Sequence, residues 1–356
     1  MQTARELLQK LAKADPGGGL VLSVYLDMRP NISGEQPAYR PAFTFLRDRF
    51  RTIEATLLPR GVALDEFRQD MQRVQHFIDE HAEAWLQGLA IFACQRLNLF
   101  EVLETGVPFE DQVALEPTPD LFQLARLIDE EETVVMALVD TNTARLFVTR
   151  RGFLEETQGP NDDPFGYGKR QAGAINQKRY QRRVDNKRQA FAQEAAQAIE
   201  ALVKQEGARR VVLAGDEVAI PHLHRALSPQ IEPLVHEEIL RLDIRTPRNN
   251  VKEELQPLIK EMEEESSHNV ADRLVEAVQS QRLGVVGEQE TLDALEHGQV
   301  ETLVLAQEAP LRKQDRAELV RLATLSGAEV ESVQAHEALL QLGGVGGLLR
   351  YDLAWV

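Results

Sequence analysis

The chain has 356 residues, with 40 Lys/Arg against 57 Asp/Glu and a formal net charge of -17. Hydrophobic residues make up 43% and charged residues 27%. That is the make-up of a soluble globular protein, and the length calls for two or three domains rather than one core. Such an acidic balance excludes general coating of nucleic acid, but a Debye length of about 8 Å leaves room for a local basic surface. The longest apolar runs, such as Val134 to Val139, fall far short of the roughly 20 residues of a membrane span, so no membrane partner is expected.

The opening segment MQTARELLQKLAKADPGGG reads as a short amphipathic helix stopped by Pro16 and the glycines after it. It lacks the apolar stretch of a secretory signal, so a cytoplasmic location is expected. Gly19–Met28 is β-rich and reads as a strand. Helices are predicted over Ala42–Leu58 and Asp65–His81, the second with Phe67, Met71, Val74 and Phe77 at helical spacing. Gly88–Thr105 reads as two strands around a polar turn at Arg96–Asn98. The single cysteine, Cys94, lies in the first of these without a basic neighbour and is expected to be a buried strand residue. A short helix in PTPDLFQLARLIDEEE closes an N-terminal α/β domain, 1–130.

A middle domain, 133–246, opens with two strands in Thr133–Gly152 joined at Asp140–Thr143. Asp140 there is expected to be a turn residue, although the first-strand aspartate of an RNase H-type nuclease is the alternative. After a long loop, Val184, Phe191, Ala195, Ala198, Ile199 and Leu202 form the apolar stripe of a helix. A buried strand over Ala208–Glu217, a helix and a further strand, EEILRLDI, follow. His222 and His224, two apart on that helix, diverge and are expected to be structural or surface residues rather than metal ligands. The last domain, 247–356, begins with a helix whose Glu261–Glu265 run reads as a solvated face. Alternating short strands and helices then build an α/β/α sandwich, ending in a Gly-rich turn and a final strand. The fold class expected for the whole is mixed α/β in three domains.

One segment breaks the acidic trend. Between Lys169 and Arg188 stand Lys169, Arg170, Lys178, Arg179, Arg182, Arg183, Lys187 and Arg188 against the single acid Asp185, so the rest of the chain sums to -24. Gly166, Gly168 and Gly173 make the stretch before the helix a loop with unusual backbone freedom. Lys178, Arg179, Arg182 and Arg183 recur at i, i+1, i+4 and i+5, a face of like charges that repel unless a polyanion lies against it. The loop has no Cys, no His and, from Gly166 to Arg183, no carboxylate, so no metal or cofactor is expected there. It does carry the amides Gln171, Asn176 and Gln177, which can hold water or an oxyanion without titrating. GGGL and GGVGG lack the Gly-Lys-Ser/Thr ending of a nucleotide loop and read as turns.

The hairpin, the Gly/Gln loop and QKRYQRRVDNKRQAFAQEAAQAI together resemble the middle domain of the archaeo-eukaryotic class-1 release factor and Pelota superfamily, in particular its bacterial members. GVVGEQETLDALEHGQVETLVLAQ and LGGVGGLLRY are similar to that superfamily's C-terminal domain, which has an L7Ae-like ribosomal-protein fold. The resemblance implies a ribosome-binding translation factor whose basic loop meets ribosomal RNA in the A site, with a translational GTPase as a further partner. It makes Gln177 the match for the glutamine that positions water against peptidyl-tRNA in hydrolytic members. The glycine pair before that glutamine has no counterpart in QAGAINQ, where Ala174, Ile175 and Asn176 follow Gly173. Two outcomes stay open: A-site occupation without hydrolysis, as in hibernation or rescue, and peptidyl-tRNA ester hydrolysis through Gln177.

Overall fold

The computed structural model describes residues 3–29, 41–57, 61–81, 86–130, 133–150, 152–161 and 174–351. Twelve strands among them form three four-stranded sheets, a mixed α/β architecture. The described chain divides into two compact units: Glu131–Glu263, and Met1–Glu130 together with Glu264–Val356.

In the discontinuous unit, α1 (Ala4–Ala12) is opened by a capping box, with Thr3 Oγ1 accepting from Glu6 N and Glu6 accepting from Thr3 N at 2.8 Å. Then come β1 (Val21–Asp27), α2 (Pro41–Thr56), α3 (Val62–His81), β2 (Gly88–Cys94), β3 (Leu99–Thr105), β4 (Gln112–Glu116) and α4 (Phe122–Glu130). The sheet runs β3-β2-β1-β4 and is antiparallel throughout. Both its faces are covered. Leu22, Val24, Leu26 and Ile91 pack with Leu46, Phe50 and Phe67 of α2 and α3. Val21, Tyr25, Ala90 and Phe92 pack with Leu8 and Leu11 of α1 and Leu124 of α4. This is why β1 and β2 are apolar on alternate and intervening positions alike. Cys94 is buried in β2, as its sequence surroundings predict.

The same unit's second sheet is built from β9 (Gly284–Val286), α8 (Glu288–Glu296), β10 (Val300–Ala306), α9 (Lys313–Ser326), β11 (Glu329–Val333), α10 (Glu337–Gln341) and β12 (Val345–Leu349), in the order β11-β10-β12-β9. Leu303 and Leu305 face α8 and α9, while Val304 and Ala306 pack with Leu339 of α10 and with Ala271 and Leu274. Strand parity thus sorts β10 into an α/β/α sandwich. The final strand contains Gly346 and Gly347 themselves. A Cβ at Gly346 would stand 2.5 Å from the Val285 carbonyl oxygen, so the Gly-rich run is a close strand approach as well as a turn.

The middle unit contains β5 (Val134–Val139), β6 (Thr143–Arg150), β7 (Phe153–Asn161), α5 (Ala174–Glu206), β8 (Arg210–Gly215), α6 (Ala219–Ala226) and the first half of α7 (Arg248–Gln279). Its order is β7-β6-β5-β8, with β5 and β8 parallel. Val135, Ala137 and Leu146 pack on Phe191, Ala195 and Ile199 of α5. Val134, Met136 and Phe147 pack on Val251, Leu255 and Met262 of α7. Glu261, Glu264 and Glu265 are exposed, the solvated face expected of that run.

Two sequence expectations need correction here. Phe153–Asn161 is a third hairpin strand rather than loop, and it sits at the sheet edge where Pro160 costs no ladder bond. EEILRLDI is not a strand but a single bridge, Ala214 with Leu240. Beyond it the carbonyls of Ile244 and Thr246 accept from the Arg145 guanidinium at 2.8 and 2.6 Å instead of joining a ladder. The two short elements β4 and α10 are additions to the sequence reading.

Candidate nucleic-acid interface

The middle sheet and α5 together define where the basic segment lies. β7 ends at Asn161 and α5 begins at Ala174. Gly166, Gly168, Lys169, Arg170, Gln171 and Gly173 fall between them, outside the described residues. Gln177 is the fourth residue of α5, and Lys178, Arg179, Arg182 and Arg183 follow within its first three turns. Helix starts at Ala174 because Gly173 is the last breaker; no Gly or Pro recurs until Gly207. The loop reading of Ala174–Gln177 is therefore replaced by a helical turn, whose first four N–H groups have no intrahelical acceptor.

α5 has 33 residues, hence a length of about 50 Å. Its described buried stripe begins only at Phe191 and runs through Ala195 and Ile199 to Leu202. Lys187 and Arg188 are half-buried. Arg188 lines a small cavity with Asp140 and Thr141 of the β5–β6 turn and with His222 of α6, so it lies closer to the core than an outward RNA-facing residue would. His222 is half-buried there and His224 is exposed, so the two diverge as their spacing requires.

Asp140 serves the turn. Its Oδ1 accepts from Asn142 N at 2.7 Å and Thr143 N at 2.6 Å, and its own N–H donates to the Thr143 carbonyl. At the neighbouring end of β8, Gly215 has φ +140°, and a Cβ would stand 1.8 Å from the Val139 carbonyl oxygen. Asp216 then holds the start of α6, accepting from Val218 N at 2.8 Å and Ala219 N at 2.6 Å. Gly-Asp directly after an apolar run was the sequence signal for this cap. Arg145 pairs with Glu156 at 2.6 Å and stacks on Phe147, which holds the Glu156 carboxyl below the usual range. Arg150 pairs with Glu206, and that partner raises the guanidinium pKa. These cations are committed to structure.

The charge distribution follows the units. The middle residues, 131–263, hold 20 of the 40 Lys/Arg against 21 Asp/Glu. Residues 1–130 hold 13 against 20, and residues 264–356 hold 7 against 16. Near-neutrality in the middle depends on the segment that opens α5.

The family model described as bacterial archaeo-eukaryotic release factor family 10 matches residues 119–260, and that for eRF1 domain 3 matches residues 262–353. Two such matches in succession place a release-factor-like domain before an eRF1-type third domain. Over residues 119–353 the chain is thus similar to the bacterial archaeo-eukaryotic release factors. Among solved structures it is similar to the archaeal translation termination factor aRF1, at 17% identity over 98% of this chain and 97% of that chain, with a TM-score of 0.29. Archaeoglobus fulgidus Pelota aligns at 14% identity over 99% and 93%, with a TM-score of 0.40. A chain of the structure described as a model of ribosome-bound archaeal Pelota and ABCE1 aligns at 15% identity over 99% and 95%, with a TM-score of 0.44. No curated relative matches the sequence at a significant level.

Proposed function

We propose that this protein is a cytoplasmic, ribosome-associated translation factor of the release and rescue type that occupies the A site in idle or stalled ribosomes without hydrolysing peptidyl-tRNA. The observation that carries the reading is the excess of +7 within Lys169–Arg188, at the head of α5, in a chain of net charge -17 that matches two release-factor models in order. Lys169, Arg170, Lys178, Arg179, Arg182 and Arg183 would meet ribosomal RNA, each phosphate contact releasing counterions. Three functional domains, 1–130, 133–246 and 247–356, belong to this reading, with the acidic last one as the surface for a translational GTPase.

The second reading, ester hydrolysis, rests on the placement of Gln177 in the first turn of α5, beside helix N–H groups that have no intrahelical acceptor and suit an oxyanion. Against it stands the absence of the glycine pair: Ile175 and Asn176 occupy the two preceding positions. No observation favours a nuclease built on Asp140, whose Oδ1 serves two amides of its own turn. Cosedimentation of the purified protein with ribosomes, followed by release of labelled peptide from peptidyl-tRNA-loaded ribosomes, tests the readings. Binding without release is expected, and release above background overturns the non-hydrolytic assignment.

A further inference from the structure

β12 turns Val345 and Leu349 toward the face that packs with α8 and α9, and Leu348 toward the opposite face. Leu283 stands directly before β9, and its carbonyl accepts from Leu349 N–H at 3.0 Å. The register that pairs Val285 with Gly347 sets Leu283 opposite Leu349, so both share the helix-covered face with Val285. Tyr351 follows on that side, where its hydroxyl donates to the carbonyl of His297, the C-cap of α8, at 3.4 Å. Arg350 donates to the carbonyl of Gly327, the C-cap of α9, at 2.7 Å. The ends of both helices therefore lie beside the end of β12.

The core is incompletely covered at this end. Val285, Leu322, Ala328 and Leu349 pack against it but are only half-buried. Leu283 is 41%, Leu325 43% and Tyr351 47% exposed, and these are three of the seven large exposed apolar or aromatic side chains among the described residues. A single exposed leucine is ordinary, whereas three such side chains around one end of a core mark a surface that something covers.

Five residues follow Tyr351 in the sequence, Asp352–Val356, outside the described residues. Extended chain advances about 3.3–3.6 Å per residue, so they can reach about 17 Å, against a spacing of about 5 Å between neighbouring strands. Their pattern continues that of β12: Leu349, Tyr351, Leu353 and Trp355 are alternate residues, which an extended chain sets on one face. We infer that Asp352–Val356 docks on this chain's own C-terminal sandwich, seating Leu353 and Trp355 between Leu283 and Leu325 over the open end of the core. Continuity argues for this occupant. Held covalently at Tyr351, the segment meets the surface at an effective concentration that a separate partner would have to match. The seat is independent of the basic head of α5 and of ribosome binding.

The test is tryptophan fluorescence of the full chain carrying Trp85→Phe, which leaves Trp355 as the sole indole. Emission to the blue of the free peptide Tyr-Asp-Leu-Ala-Trp-Val is expected, with acrylamide quenching several-fold weaker than in the peptide. Leu283→Glu and Leu325→Glu, both at exposed positions, should each raise quenching toward the peptide value at an unchanged melting temperature. Val218→Glu, at an exposed apolar position of the middle unit, should leave quenching as it was. Should Trp85→Phe melt early, the difference between wild type and Trp355→Phe gives the same signal. Peptide-like quenching with Leu283 and Leu325 intact overturns the inference, and so does protection that neither glutamate relieves. Protection lost on dilution, in step with dimer dissociation in sedimentation equilibrium, overturns it as well, because a second copy would then be the cover.

Discussion

The Asp129 carboxylate of α4 accepts a hydrogen bond from the backbone N–H of Ser332 at 2.7 Å, joining residues 203 apart in sequence. Ser332 is buried in β11, which is an edge strand, so the bond satisfies a ladder donor that no neighbouring strand takes. Asp129→Ala is expected to destabilise the protein by about 1–3 kcal/mol, the cost of a buried donor left unpaired. Asp129→Asn, which keeps an acceptor, is expected to lose less. Urea denaturation of the two variants measures the difference, and equal losses would show that the acceptor is not what matters.

Gly215 closes β8 at φ +140°, against the Val139 carbonyl. Gly215→Ala adds both left-side strain and a clash with backbone that cannot swing away, so a loss of about 3 kcal/mol or more is expected. Gly207, at φ +64° with open space around it, is the control: Gly207→Ala should cost only about 1 kcal/mol. Thermal melts that rank the two variants in the opposite order would refute the account.

Burial pushes the Asp120 carboxyl above the usual carboxylate range, against the opposing pull of the Phe122 N–H and the Gln112 amide. A carboxyl with a raised folded-state pKa binds its proton more tightly in the folded than in the unfolded chain. Its contribution to stability therefore falls as pH rises from the unfolded value, about 4, through the raised folded value, and the cost is complete above that. Asp120→Asn removes this component, so the difference in urea midpoint between variant and wild type should grow in the variant's favour as pH rises through that window. A pH-independent difference would mean that Asp120 does not titrate there.

Arg179, Arg182 and Arg183 lie within the first three turns of α5. Their joint replacement by Glu is expected to weaken ribosome binding by several kcal/mol at low salt, of order 1 kcal/mol or more per lost phosphate contact, and to flatten its salt dependence. Unchanged pelleting with ribosomes across a salt series would remove this face from the interface.

For Gln177 the expected result is that neither wild type nor Gln177→Ala releases peptide, while ribosome affinity shifts by at most about 1 kcal/mol. A wild-type rate that drops about a hundredfold in the variant, with affinity unchanged, would instead mark Gln177 as positioning water in the transition state.

The elements most legible from the amino acids were those where one signal ran unopposed. β2 is an unbroken apolar run and β1 is one interrupted only by Ser23 before its closing Asp27, α3 repeats Phe67, Met71 and Val74 at helical spacing, and α5 carries its stripe from Phe191 onward. β4 is only five residues long, too short for alternation to register. β7 ends in Gly159 and Pro160, which read as loop until its place at the sheet edge is known. α10 is capped by His336, whose Nδ1 accepts from Leu339 N, and histidine is not among the usual cap signals. EEILRLDI has the right alternation, with Leu240, Leu242 and Ile244 packed inward, but its partner for the last carbonyls is a side chain, Arg145. In the candidate site the basic residues stood out because charge is a property of composition. The helical placement of Gln177 depended on where the last glycine fell, and the partial burial of Arg188 on α6, which sequence spacing cannot position.

The unit made of residues 1–130 and 264–356 is interrupted by a stretch of 133 residues that has two hydrophobic clusters of its own. Leu7, Leu11 and Leu124 belong to one cluster with Leu295, Leu319 and Val320, so the first helices of the chain acquire these neighbours only when the last quarter has been synthesised. Residues 131–263 need no such wait: Val134 to Met262 span a contiguous stretch. During vectorial synthesis this stretch, like the cluster of residues 22–115 that emerges before it, can consolidate while the contacts of the first helices with the last quarter are still pending. Its folding ties off the long intervening chain, and this lowers the entropy lost when the two outer segments meet, since closure cost grows with the number of free residues between them. The joining of the two outer segments is then the last contact the chain can make.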